Sequence, residues 1–110
     1  MERVYNKLVR DNIPNIIESN GEKPIIRILN EVQYKYELER KLYEEYQEVL
    51  EATGNDRVEE LADMLEIIKV LAKLEGKSLD DVIILANKKN EKRGSFDKKI
   101  FLEKVIEVVK

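Results

Sequence analysis

The residues best suited to chemistry in this sequence are two groups of carboxylates in which acids stand three residues apart. The first group is Glu45 and Glu48, with Glu44 beside them, and the second is Glu60 and Asp63. Carboxylate oxygens are the ligands that Mg²⁺ and Mn²⁺ prefer, and a carboxylate also serves as a general base. If helices bring the two groups together, this spacing predicts a site for a divalent cation.

The second group lies where a soluble helix does not normally carry charge. Projected at about 100° per residue, the segment from about 56 to 75 has an apolar arc wider than half its circumference. Glu60 and Asp63 project inside that arc, whereas Glu59 and Glu66 lie on the polar strip. The apolar arc consists of Leu61, Met64, Leu65, Ile67, Ile68, Val70, Leu71, Ala72 and Leu74.

The first group repeats this pattern on the preceding segment, from about 31 to 52. Glu45 lies on the apolar stripe, Glu48 flanks it, and Glu44 lies further round toward solvent but four residues from Glu48. The stripe consists of Leu38, Leu42, Tyr46, Val49 and Leu50.

A short connection between these two segments predicts antiparallel neighbours, so four carboxylates are expected near one interface: Glu45, Glu48, Glu60 and Asp63. Each buried carboxylate costs several kcal/mol unless it is paired or bound to a metal. No Lys or Arg lies on the central part of either apolar arc. The pattern therefore favours bound Mg²⁺ or Mn²⁺. The alternative is that the helix faces are rotated in the folded chain and the acids reach solvent.

The composition limits the number of domains, the kinds of site and the classes of partner that are possible. The 110 residues are 43% hydrophobic and 39% charged, which suits a single domain over 1–110. Cys and His are absent, which excludes disulfides, imidazole bases and zinc sites built on thiolate or imidazole. A net charge of -3 argues against nucleic-acid binding. No apolar run approaches membrane-spanning length, so a cytoplasmic protein without a membrane partner is expected.

The elements that must position the acids are helices. Asn30 is the expected cap of the first long helix, Asp56 of the second and Ser78 of the third. The segment Pro24–Leu29 suits either a strand or an extended loop, and the pattern of 96–110 does not decide between a helix and another conformation. The sequence thus predicts an all-α helical bundle with a short N-terminal appendage, with helices expected at about 31–52, 56–75 and 78–93 and a shorter one between 5 and 20.

The two acid groups also resemble a known signature. The segments KLYEEYQE at 41–48 and EELAD at 59–63 resemble the EExxE…ExxD motif of the all-α NTP pyrophosphohydrolases, a superfamily that includes MazG-like proteins, dimeric dUTPases and phosphoribosyl-ATP pyrophosphohydrolase. The opening YNKLVRDNIP at 5–14 and the segment KRGSF at 92–96 are similar to a phosphoribosyl-ATP pyrophosphohydrolase-like branch of house-cleaning enzymes.

The resemblance implies Mg²⁺-dependent cleavage of a nucleoside triphosphate between its α and β phosphates, and a homo-oligomer such as a dimer or tetramer. It implies that Glu45, Glu48, Glu60 and Asp63 are the metal ligands, with Glu44 supporting them or facing substrate. Because the chain has no His, Glu45 or Glu48 is the expected base that takes a proton from water.

Cations are expected to contact the substrate phosphates. The spacing of Asn87, Lys89 and Arg93 matches an element that follows the acids in MazG-like proteins, although a basic, solvated helix end has the same composition. Lys7 and Arg10 are further candidates through the N-terminal resemblance. Two other functions stay open: hydrolysis of phosphoribosyl-ATP in histidine biosynthesis, and a non-enzymatic helical interaction module.

Overall fold

A computed structural model describes residues 1–109, and the described part of the chain contains four helices and no strand. They are α1 (Ile13–Ser19), α2 (Glu31–Glu51), α3 (Gly54–Leu74) and α4 (Leu79–Arg93). The predicted all-α class is therefore confirmed. Pro24–Leu29, for which a strand was one option, is an extended loop.

The helices α2 and α3 pack against each other, and they carry the two groups of carboxylates. Helix α2 begins as expected, because the Asn30 side chain accepts a hydrogen bond of 2.9 Å from the Gln33 backbone N–H. Two residues, Ala52 and Thr53, connect it to α3. A connection this short makes the two helices antiparallel neighbours, so acids near the end of α2 meet acids near the start of α3.

The expected cap of α3, Asp56, is wrong by three residues. The helix begins at Gly54 with Thr53 at the cap position. Gly54 has a φ of 57°, in the left-handed region that glycine adopts without strain from a Cβ atom, and the chain can therefore turn immediately before the helix. Asp56 lies in the first turn, where its charge favours the positive end of the helix dipole.

The chain divides into two compact units, one from 1 to 79 and one from 80 onward. In the described chain only three hydrophobic side chains are buried, and all three belong to α2 and α3: Leu38, Val49 and Ile67. Much of the predicted apolar surface of these helices is exposed, including Tyr46, Leu50, Leu61, Leu65 and Leu74.

The second unit consists of most of α4 and the segment that follows it. The sequence pattern left the conformation of 96–110 open; the described residues after Arg93, up to 109, form no helix, and Lys110 lies outside the described residues. Large apolar side chains are exposed along this segment: Phe96, Ile100, Phe101, Leu102, Val105, Ile106, Val108 and Val109. The assignment of 1–110 to a single domain stays a prediction.

Across residues 1–109, none of the helices combines the length and the apolar character that crossing a bilayer requires.

Candidate metal site

Three carboxylates from the two packed helices converge at the α2–α3 interface. Glu45 on α2 and Glu60 and Asp63 on α3 each contribute one oxygen, and these oxygens all lie within 4.8 Å of one another. Opposite oxygens around an octahedral Mg²⁺ are about 4.2 Å apart. The three side chains thus form an all-oxygen cluster of nearly the size that a small divalent cation requires.

Two oxygens of this cluster have no polar partner. Glu45 is only 7% exposed, and within the described chain neither its Oε2 atom nor Oε2 of Glu60 has a hydrogen-bond partner. A buried carboxylate oxygen without a partner is costly, and such atoms are uncommon in folded proteins. These unpartnered oxygens fit a cation of the kind that the donor set selects, because a cation would compensate both of them at once.

Part of the negative charge is balanced by cations that the helical projection did not predict. Lys41, one turn before Glu45 on α2, has its Nζ 3.7 Å from Glu45 Oε1. Arg10, in the N-terminal segment, donates a hydrogen bond of 2.8 Å to Asp63 Oδ1. The helical projection found no Lys or Arg on the central part of either apolar arc, and it could not include Arg10, which lies outside both helices.

Glu48 and Glu44 flank the three-residue cluster. Glu48 is exposed and is not among the three acids whose oxygens meet, but its carboxylate can accept a hydrogen bond from protonated Glu60, and this raises the pKa of Glu60. Glu44, expected toward solvent, is half-buried and accepts a hydrogen bond of 2.7 Å from Lys7 Nζ. The hydrogen bond and the positive charge of Lys7 lower the pKa of Glu44.

The electrostatics of the site favour the protonated forms of Glu45 and Glu60 when no metal is bound. The hydrogen bond that protonated Glu60 donates to the Glu48 carboxylate, desolvation and the charges of the neighbouring acids together raise the pKa of Glu60 to about 7. Burial, followed by the nearby charge of Glu48, also raises the pKa of Glu45. The cluster thus carries more negative charge than the metal-free fold accommodates.

This shift predicts how the stability of the metal-free protein depends on pH. The pKa of Glu60 is about 7 in the folded chain and 4.5 for a glutamate free in water, so the folded state binds more protons between these pH values than the unfolded state does. The contribution of Glu60 to the free energy of unfolding is complete below about pH 4.5 and is lost as the pH rises through 7. Urea unfolding in EDTA at pH 5 and pH 8 should show this loss in the wild type.

Glu60→Gln is the matched variant, because an amide does not titrate in this range. Its free energy of unfolding should fall less than that of the wild type between pH 5 and pH 8. Equal pH dependence in the two proteins would show that Glu60 is not the group responsible.

The predicted substrate-binding residues fall in different parts of the chain. Lys7 and Arg10 lie beside the acids, through their contacts with Glu44 and Asp63. Asn87, Lys89 and Arg93 are exposed side chains of α4, in the second unit, and their role stays a prediction.

An open groove runs along α2 and includes Lys7 and Glu44, which were predicted site residues, together with Tyr36, Arg40 and Tyr43, which were not. The Arg40 guanidinium lies 6.0 Å from the centre of the Tyr36 ring. The spacing of Tyr36, Arg40 and Tyr43 by four and three residues was the available signal, since it places them on one helix face. The groove is lined by Lys7, Tyr36, Glu39, Arg40, Tyr43, Glu44 and Gln47.

The chain is similar over part of its length to a curated protein. A protein of Mycolicibacterium smegmatis (strain ATCC 700084 / mc(2)155), described as uncharacterized, is 42% identical over 50 residues. The alignment covers 46% of this chain and 51% of that protein, so the chain matches about half the length of this curated relative. No protein-family profile and no solved structure matches the chain.

Proposed function

We propose that this protein is a Mg²⁺- or Mn²⁺-dependent nucleotide pyrophosphohydrolase of the all-α type. It cleaves an NTP or dNTP between the α and β phosphates and releases a monophosphate and pyrophosphate, in a cytoplasmic house-cleaning role. The observation that carries the proposal is the pair of unpartnered buried oxygens, on Glu45 and Glu60, at the centre of an all-carboxylate cluster. The resemblance of the same acids to the pyrophosphohydrolase signature supports it.

The described residues divide the chemical roles among themselves. Glu45, Glu60 and Asp63 would hold the cation, which when bound neutralises phosphate charge and lowers the pKa of a coordinated water. Glu48 completes the predicted ligand set from the edge of the cluster. Of the two candidate bases, Glu48 is the better one, because its side chain is exposed to solvent whereas Glu45 is buried.

Positive side chains near the acids supply the contacts that a triphosphate needs. Lys7 and Arg10 already lie against acids of the site, and Arg40 lines the groove beside Glu44. Arginine suits phosphate oxygens because its planar guanidinium offers several donors in a fixed geometry. Asn87, Lys89 and Arg93 are further substrate-binding candidates on α4.

The experiment that tests the proposal is a product assay on the purified protein. A panel of canonical and modified NTPs and dNTPs, together with phosphoribosyl-ATP, is incubated with Mg²⁺, with Mn²⁺ and with EDTA, and monophosphate and pyrophosphate are quantified. Pyrophosphate release that requires metal establishes the reaction class, and the preferred substrate decides between house-cleaning and histidine biosynthesis. Absence of turnover by folded protein that binds metal would instead favour a helical interaction module.

We further propose that the active form is a homo-oligomer, a dimer or tetramer. A chain of this size with three buried hydrophobic side chains among its described residues leaves wide apolar surfaces on α2 and α3 in contact with water. Exposed apolar patches of this kind mark interfaces. A second copy that covers them would supply the core that a single chain lacks.

Light scattering coupled to size exclusion tests the oligomer directly. The expected mass is a multiple of the 13.0 kDa chain, and Leu65→Glu, which places a charge on the exposed face of α3, should shift the protein toward monomer. Glu59→Lys, at an exposed polar position about 120° around the same helix from Leu65, is the matched control and should leave the mass unchanged. A monodisperse 13.0 kDa wild type would contradict the proposal.

A further inference from the structure

The N-terminal segment crosses the two helices that carry the acids. Residues 1–10 form no helix or strand, yet two side chains three residues apart fix this segment to different helices. Lys7 contacts Glu44 on α2, and Arg10 contacts Asp63 on α3. The segment is therefore held across the α2–α3 pair at the level of the carboxylate cluster.

The two contacts differ in what they neutralise. Glu44 is not one of the three acids whose oxygens converge, so Lys7 holds the segment from outside the cluster. Asp63 is one of the three, and the Arg10 guanidinium occupies one of its oxygens at 2.8 Å. Arg10 thus places a positive charge beside Asp63, where a bound divalent cation would also place one.

The ion pair between Arg10 and Asp63 is weak enough for a divalent cation to replace Arg10 as the partner of Asp63. Both side chains are about half exposed, at 58% and 44%, and an ion pair with this exposure contributes about 1 kcal/mol or less. A divalent cation that binds three carboxylates outweighs such a contact. The Arg10 guanidinium, once released from Asp63 beside the bound metal, is then free to bind an oxyanion such as a phosphate. Its planar arrangement of N–H donors suits such oxygens.

We infer that Arg10 is the exchangeable counter-ion of the metal-free site: it neutralises Asp63 until a divalent cation binds, and it then becomes available to the phosphates of the substrate. This inference rests on the proposed function. It assigns to Arg10 a competition with the metal, in addition to the substrate contact that the N-terminal resemblance implies. Metal and phosphate binding are coupled through one side chain.

Calorimetric titrations of Arg10→Ala test the inference without any need for turnover. The first titration uses Mn²⁺ alone, and the second uses pyrophosphate with Mn²⁺ held at saturation. Loss of the competing cation should tighten Mn²⁺ binding about two- to five-fold, the equivalent of one exposed ion pair. The same variant should bind pyrophosphate more weakly than the wild type.

Arg3→Ala is the matched control. It removes the same charge from the same segment, but Arg3 pairs with Glu22 rather than with an acid of the cluster. Both of its affinities should equal those of the wild type. This control separates the loss of a specific contact from a general change in net charge.

Three results would contradict the inference, and they can be distinguished from one another. Unchanged or weaker Mn²⁺ binding by Arg10→Ala, with normal binding by the wild type, would overturn the exchange and leave the proposed function standing. Tighter Mn²⁺ binding without any loss of pyrophosphate affinity would likewise overturn it, because Arg10 would then not reach the phosphates. A wild type that binds no Mn²⁺ would overturn the inference together with the metal site itself.

Discussion

Glu60→Gln is expected to lower metal-dependent pyrophosphate release at least about a hundred-fold. The amide keeps the size of the side chain but removes a negative charge from the carboxylate cluster. Even the replacement of a residue that only supports a metal ligand lowers metal affinity or activity about 10- to 100-fold. Glu60 contributes directly: its oxygen meets those of Glu45 and Asp63, and its Oε2 atom has no other polar partner in residues 1–109. Steady-state rates at saturating Mg²⁺ and substrate measure the loss.

Glu59→Gln is the control for this experiment. Glu59 is the neighbouring residue on α3 and carries the same charge, but its side chain is exposed and lies outside the cluster. Its rate should stay within about two-fold of the wild type, as for other surface changes distant from a site. Equal losses of activity in the two variants, or full activity in Glu60→Gln, would show that the carboxylate cluster has no catalytic role.

Mg²⁺ is expected to raise the melting temperature of the wild type, and Glu45→Gln should abolish most of that rise. A ligand that binds only the folded state stabilises it by about 2.7 kcal/mol at 100 times its Kd, or roughly 10 °C for a domain of this size. Glu45 is the most buried of the three acids. Without its charge the remaining two carboxylates hold the cation more weakly.

The metal-free melting temperature makes this prediction specific. Glu45→Gln should be at least as stable as the wild type in EDTA, because an amide costs less to bury than a carboxylate. The control is Glu51→Gln, an exposed acid at the end of α2, which should retain the full Mg²⁺ response. A wild-type response that survives in Glu45→Gln would place the bound metal elsewhere.

Sequence patterns predicted the helices well because local signals specify them. The Asn30 cap, the glycines after α3 and α4 and the apolar periodicity of α2 and α3 all gave boundaries within two residues of those observed. Asp56 was wrong as a cap because an acid in the first turn and an acid at the cap position give nearly the same pattern. Residues 96–109 combine apolar pairs with charges at no fixed period, so their conformation could not be predicted.

The candidate site was predicted in part. The positions of Glu45, Glu60 and Asp63 on apolar arcs implied their convergence, since a two-residue connection leaves two helices little freedom. The contacts of Lys7 and Arg10 with the acids could not be predicted, because they join residues 37 and 53 positions apart and depend on the path of a segment without regular structure. Periodicity describes one helix at a time and contains no information of this kind.

The most direct test of the account is an anomalous difference map from crystals of the wild-type protein grown with Mn²⁺. We predict a Mn²⁺ peak at the α2–α3 interface, at about 2.1 Å from oxygens of Glu45, Glu60 and Asp63. Such a peak would identify the ligands independently of any assay. Crystals that contain Mn²⁺ at other sites, with these three carboxylates free of metal, would contradict the account.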